Sequence, residues 1–182
     1  ASSILNALRS GDAQNLRAQM QQVYNSYEYQ QFATFLTNHD QNRVMNELGD
    51  DWARAKTAAS VYLSLPGVPF LYYGEEIGMT GTKPDPEIRT PMQWDDGPQA
   101  GFTTGSPWIE LNDDYELRNV AVQEAAPNSL LNHYKNLIHV RNDEIALRIG
   151  DYQPGSSSAD GLYGFIRTYE TEQLLVLINV DD

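Results

Sequence analysis

The chain has 182 residues with 12 Lys and Arg against 25 Asp and Glu, a formal charge of −13 that repels a polyphosphate and argues against nucleic acid as a partner. Hydrophobic residues at 41% and aromatics at 10% place it among packed globular proteins rather than disordered tails. With zero cysteines it has no disulfide framework, thiolate metal site or cysteine nucleophile.

Apolar runs such as Leu174 to Val180 fall far short of the ~20 residues a membrane helix needs, so no membrane span is expected. The chain opens on Ala1 rather than Met and stops at Asp181-Asp182 directly after a strand-like run. It reads as a piece of a longer protein, which leaves secreted, periplasmic and cytoplasmic locations all open.

From Ala13 to Tyr29, the residues Leu16, Met20, Val23, Tyr24 and Tyr27 recur at helical spacing behind Asp12 as N-cap. Phe32 to Leu36 then reads as a strand buried on both faces. An alanine-rich helix follows over about Asp50 to Leu65, packed through Ala55, Ala58, Ala59, Tyr62 and Leu63 and ended by Pro66-Gly67. Val68 to Tyr73 is a second apolar strand, closed by Gly74 and the acids Glu75-Glu76. Strand, helix and apolar strand in this order predict a parallel crossover unit, with polar clusters Asn38-His39-Asp40 and Gly74-Glu75-Glu76 at the C-terminal strand ends, where such folds place their chemistry.

Gly78 to Trp108 is too long for a plain connection and carries Trp94, Phe102 and Trp108, either as anchors or as a stacking face. A helix over about Asn128 to Arg141 follows. Beyond Gly150, Pro154 to Ser158 reads as a flexible turn and Leu162 to Tyr169 with Leu174 to Val180 as an antiparallel hairpin. His133 and His139 have no second ligand at metal spacing.

Phe35-Leu36-Thr37-Asn38-His39-Asp40-Gln41-Asn42-Arg43 resembles the segment after the seventh barrel strand of the α-amylase superfamily, glycoside hydrolase family 13. Pro66 to Met79 is similar to the family's next strand. Arg89-Thr90-Pro91-Met92-Gln93-Trp94-Asp95, Ala100-Gly101-Phe102-Thr103 and Pro107-Trp108 resemble its oligo-1,6-glucosidase, α-glucosidase and trehalose synthase branch and neighbouring amylases. The resemblance covers nearly the whole chain.

The resemblance implies an α/β fold: the C-terminal portion of a (β/α)8 barrel, its last two strand-helix units, over residues 1–146, and the start of an antiparallel β domain over 147–182. A complete barrel takes ~250 residues. It implies a retaining hydrolase of α-glucosidic bonds in starch-derived or short gluco-oligosaccharides.

Such chemistry needs two carboxyl groups ~5–5.5 Å apart, and the family's nucleophile and acid/base belong to earlier strand ends. Asp40 matches its third carboxylate, which binds ring hydroxyls and stabilises the transition state, and His39 its sugar-binding histidine. Arg43 is placed to orient Asp40 or the substrate, the alternative being a surface ion pair; Arg89 lies in the loop over the pocket mouth. Glu75-Glu76 takes a structural role. Calcium, common in the family, would belong to other parts. Two rivals stay open: a transglycosylase or isomerase such as trehalose synthase, and a non-catalytic amylase-like module.

Overall fold

The computed structural model describes residues 2–28 and 31–181. They form two compact units, one built from the segments up to Leu36, Lys56–Phe70 and Asn136 onward, the other from Thr37–Ala55 and Leu71–Lys135.

In the first unit, α1 (Ser2–Ser10) buries Ile4, Leu5, Ala7 and Leu8, an i, i+3, i+4 stripe not anticipated above. The helix α2 (Gln14–Ser26) buries Leu16 and Met20, and Asp12 Oδ1 accepts from the Gln14 amide at 2.7 Å. Tyr29, the expected end of this helix, lies outside the described residues.

Strands β1 (Ala33–Thr34) and β2 (Val68–Pro69) pair in parallel, Ala33 opposite Val68. The bonds Val68 N–H to Phe32 O, 3.0 Å, and Phe70 N–H to Thr34 O, 2.8 Å, flank the pair. The parallel crossover is therefore present, but the regular strands are shorter than Phe32–Leu36 and Val68–Tyr73. Burial on both faces is also absent: Val68 is 49% and Phe70 61% exposed, since sheet faces are covered by other layers rather than by the paired strand. Gly67, at φ +94°, enters β2 against the Phe32 ring, where a Cβ would sit 2.7 Å from a ring carbon.

Along the chain between the strands come α3 (Val44–Glu47), which belongs to the second unit, and α4 (Trp52–Ser64). Ala55, Ala58, Ala59, Tyr62 and Leu63 of α4 are all 5% exposed or less, the packed face their spacing predicts. Two buried arginines meet its last turn: Arg141 donates to the Leu63, Leu65 and Gly67 carbonyls, and Arg167 to that of Ser64. Cations suit a helix C-terminus, where backbone carbonyls lack partners.

After α6 (Leu130–Asp143) and α7 (Ile145–Ile149), the strands β3 (Asp151–Pro154), β4 (Leu162–Tyr169) and β5 (Glu172–Asn179) form an antiparallel sheet in that order. The expected hairpin is β4–β5. Pro154, read above as turn, closes β3, where its lack of an N–H suits an edge strand. Tyr152, Tyr163 and Phe165 form the aromatic core of this sheet, with ring centroids 5.2–5.3 Å apart.

The second unit is mostly loop, with single turns of 3-10 helix at Glu75–Ile77, Asp85–Ile88 and Pro98–Gly101 and the helix α5 (Val120–Ala125). Ile77, Met79, Met92 and Leu131 are its apolar centre. The loop is otherwise held by polar contacts. Arg118 pairs with Asp50 at 2.8 Å and Asp114 at 3.0 Å and stacks over Trp52, while Gln123 donates to the Ile77 carbonyl at 2.7 Å.

Candidate active site

Beyond the end of β1 the chain turns at residues 38–40, where Asn38 Oδ1 accepts from the Asp40 amide at 2.9 Å in an Asx turn. The turn presents His39 and Asp40 together, their side chains 65% and 63% exposed, with His39 Nε2 3.3 Å from Asp40 Oδ2. The other carboxylate oxygen of Asp40 accepts from Arg89 Nη2 at 3.1 Å, and Arg89 Nε donates to the His39 carbonyl at 2.9 Å. Three of the four residues singled out in the sequence thus meet.

Arg89 reaches Asp40 across 49 positions because its loop is laced to the Asp40 segment. The Arg43 amide donates to the Gly81 carbonyl at 2.9 Å, the Gly81 amide to Asn46 Oδ1 at 2.5 Å, and the Lys83 amide to Asn42 Oδ1 at 2.8 Å. Asp85 shares the same Arg89 nitrogen with Asp40, its Oδ2 lying 2.8 Å from Nη2. The Asp85 carboxyl sits below its ordinary pKa, first through its hydrogen bond from Lys83 and further through the Arg89 charge. Sequence reasoning did not find Asp85 or Lys83; their one local signal was the i, i+4 spacing of Asp85 and Arg89.

Arg43 stands apart from this cluster. It is 1% exposed, neither a surface ion pair nor a contact of Asp40: its Nη1 donates to the Tyr73 carbonyl at 2.7 Å. The guanidinium carbon lies 4.8 Å and 4.7 Å from the ring centroids of Tyr72 and Tyr73. Burial lowers the Arg43 pKa, while the two tyrosines and Glu76 counter it. The Tyr72 hydroxyl, pushed up to about 12 chiefly by burial, donates to the Ile88 carbonyl at 2.9 Å. Arg43 therefore shapes the turn after β2, and the orienting contact on Asp40 belongs to Arg89.

The two acids of that turn have separate environments. Glu75 is 2% exposed and accepts from the Tyr134 hydroxyl at 2.8 Å, which leaves it no access to a ligand. Glu76 lines a pocket of about 370 Å³ with Tyr73, Arg89, Thr90, Pro91, Met92, Trp94, Phe102 and Trp108. Burial raises the Glu76 pKa, opposed by backbone N–H groups and the Arg43 charge.

Native Glu76 thus holds its proton more tightly than an unfolded glutamate. Fold stability should fall as pH rises from the ordinary value of 4.5 through the raised native one, and level off above it. The amide of Glu76→Gln carries no such proton. Melting temperatures measured between about pH 4 and pH 8 should show the variant gaining on the wild type as pH rises. A pH-independent difference would refute this.

Among the described residues no group of three or more His, Cys, Asp or Glu is placed to hold a metal ion. No described helix is long and apolar enough to cross a membrane. Chemically, the cluster offers a carboxylate fixed by a guanidinium on one oxygen and facing an imidazole on the other. This set combines hydrogen-bond acceptors and donors beside an aromatic hollow.

A parallel strand pair with its polar residues beyond the C-terminal ends is the arrangement of β/α enzymes. The family model of the alpha-amylase catalytic domain matches residues 4–150, and the chain belongs to that family. Alpha-amylase 3 of Dictyoglomus thermophilum is 38% identical over 151 residues, covering 82% of this chain and 30% of its own length. An oligo-1,6-glucosidase of Parageobacillus thermoglucosidasius is 33% identical over 189 residues, covering 81% of this chain and 34% of its own. The crystal structure of an alpha-amylase from H. orenii superposes with a TM-score of 0.89 at 35% identity, covering 98% of this chain and 37% of that one. A trehalulose synthase structure follows at TM-score 0.80 and 30% identity, with 93% and 38% covered. The chain therefore spans about a third of its relatives' length, and those relatives are glycoside hydrolases and synthases of the barrel-fold alpha-amylase family.

Proposed function

We propose that this chain is the C-terminal part of the catalytic barrel, residues 1–146 with its last two strand-helix units, and the beginning of a C-terminal β domain, 147–182, of a retaining glycoside hydrolase. The substrates are α-glucosidic bonds in starch-derived or short gluco-oligosaccharides. The observation that carries this reading is the Asp40 carboxylate, held between His39 and Arg89 in the segment that follows the parallel strand β1 in the sequence. The exposed Val68 and Phe70 support the barrel assignment, since parallel strands are covered on both faces in complete folds. The β3–β5 sheet begins at Asp151, just past the end of the family match.

In this mechanism Asp40 and His39 grip hydroxyls of the sugar at the scissile bond. Their hydrogen bonds tighten as positive charge builds on the ring, which is stabilisation specific to the transition state. Arg89 holds the Asp40 carboxylate in place. The nucleophile and the acid/base come from the remainder of the enzyme, so this chain alone should not turn over a chromogenic α-glucoside, and measurable turnover free of contaminating enzyme would sink the reading.

The synthases among the structural neighbours favour one second reading, in which a sugar rather than water attacks the intermediate. Product analysis of the full-length enzyme on maltose and malto-oligosaccharides separates the two. Water as acceptor yields only shorter sugars, whereas transfer yields longer or isomeric ones.

A further inference from the structure

The contacts of Asp85 close a ring around the Asp40 cluster. Asp85 Oδ2 lies 2.8 Å and Asp40 Oδ1 3.1 Å from the same nitrogen, Arg89 Nη2, a group with two hydrogens that serves both carboxylates. Lys83 Nζ bonds the other oxygen of Asp85, and the Lys83 amide donates to Asn42 Oδ1, two residues past Asp40. The single turn Asp85–Ile88, closed by the Arg89 amide on the Pro86 carbonyl at 3.1 Å, brings the Asp85 and Arg89 side chains together.

Arg89 needs such a brace. Its side chain is 36% exposed and has the rotamer freedom of a long cation, yet it must hold Nε on the His39 carbonyl and Nη2 on Asp40 at once. Without Asp85 the guanidinium loses the nearer of its two carboxylates and is free to swing toward solvent. Charge matters as well. Asp40 and Asp85 balance Arg89 and Lys83, two against two. Removing the Asp85 charge leaves this set net positive, beside the place where the reading of Asp40 puts a developing cation. The fold itself gains little from the ring, because Asp85 is 45% exposed and solvent screens such pairs.

We propose that Asp85, with Lys83 as its counter-ion, is a positioning residue for the reaction: through Arg89 it fixes the Asp40 carboxylate and cancels the excess positive charge around it. The proposal rests on the reading of Asp40 above. It gives a role in turnover to two loop residues that never touch the sugar.

The test measures kcat, KM and melting temperature for full-length Asp85→Asn on maltotriose, alone and combined with Arg89→Met. The single variant should lose about three- to thirtyfold in kcat while KM and melting temperature hold, since what is lost is coupled to the transition state rather than to the fold. In the Arg89→Met background the same change should move kcat less than about twofold, because the residue it acts through is gone. Asp85→Glu, which keeps the carboxylate, should recover most of the loss. Wild-type kcat in Asp85→Asn overturns the proposal. So does an equal fall in both backgrounds, or a loss that follows a lower melting temperature, either of which would make Asp85 a prop of the loop alone. Asp40→Asn in the same assay keeps the two readings apart. Loss of turnover there beside an unaffected Asp85→Asn leaves Asp40 in its role and removes only the brace, whereas wild-type turnover overturns the role of Asp40.

Discussion

Asp40→Asn in the full-length enzyme is expected to lower kcat by about 10²- to 10³-fold, ~3–4 kcal/mol of transition-state stabilisation, with a much smaller change in KM. The carboxylate accepts from Arg89 on Oδ1 at 3.1 Å and faces His39 on Oδ2, so its geometry is set before any sugar arrives. An amide in its place keeps the shape and removes the negative charge. Its oxygen can still accept from Arg89, which leaves an NH2 donor in place of the carboxylate oxygen that faces His39. Ground-state binding loses only ordinary hydrogen bonds, whereas the transition state loses a charge opposite a developing cation. A KM increase with unchanged kcat would show instead that Asp40 binds substrate and transition state alike.

The Asp40 cluster was half legible in the sequence. His39 and Asp40 are adjacent and lie at a strand end that apolar patterning marks. That Arg89 would hold them was not readable, because the link runs through a loop whose path depends on Asn42, Asn46 and Gly81. Each is an ordinary polar or turn residue with no motif of its own. Arg43 shows the reverse: its place beside the motif suggested a ligand contact, but the chain turns its side chain inward between Tyr72 and Tyr73.

The fold divides in the same way. The α4 face was legible because Ala55, Ala58, Ala59 and Tyr62 repeat at helical spacing, and the β4–β5 hairpin because two β-rich runs flank a polar break. Strand lengths were not, since Phe70 to Tyr73 look apolar and β-favouring yet leave the ladder for a turn closed by Gly74 at φ +82°. The loop of residues 78–119 has no period to read. Its order comes from long-range polar bonds such as those of Arg118, which propensity does not encode.

Arg141→Met should cost about 3–5 kcal/mol of stability in the chain, read as a drop in melting temperature and denaturation midpoint. The side chain is 7% exposed, and its two terminal nitrogens serve three carbonyls: Leu63 at 2.6 Å, Leu65 at 2.9 Å and Gly67 at 2.8 Å. Methionine fills much of the volume but donates nothing, leaving buried acceptors at the end of α4 and the start of β2 without their partner. Arg43→Met supplies the contrast. That guanidinium donates one bond, to Tyr73, while its Nε and Nη2 are buried without hydrogen-bond partners, so removing the charge also removes a desolvation penalty. The lost bond and ring stacking offset that relief, and a loss of only ~1–2 kcal/mol is expected. Equal losses in the two variants would mean that burial alone, rather than the number of carbonyls served, sets the worth of these arginines. The expected ordering would make Arg141 the residue that joins the alanine-rich helix to the strand leading into Tyr73 and Glu76.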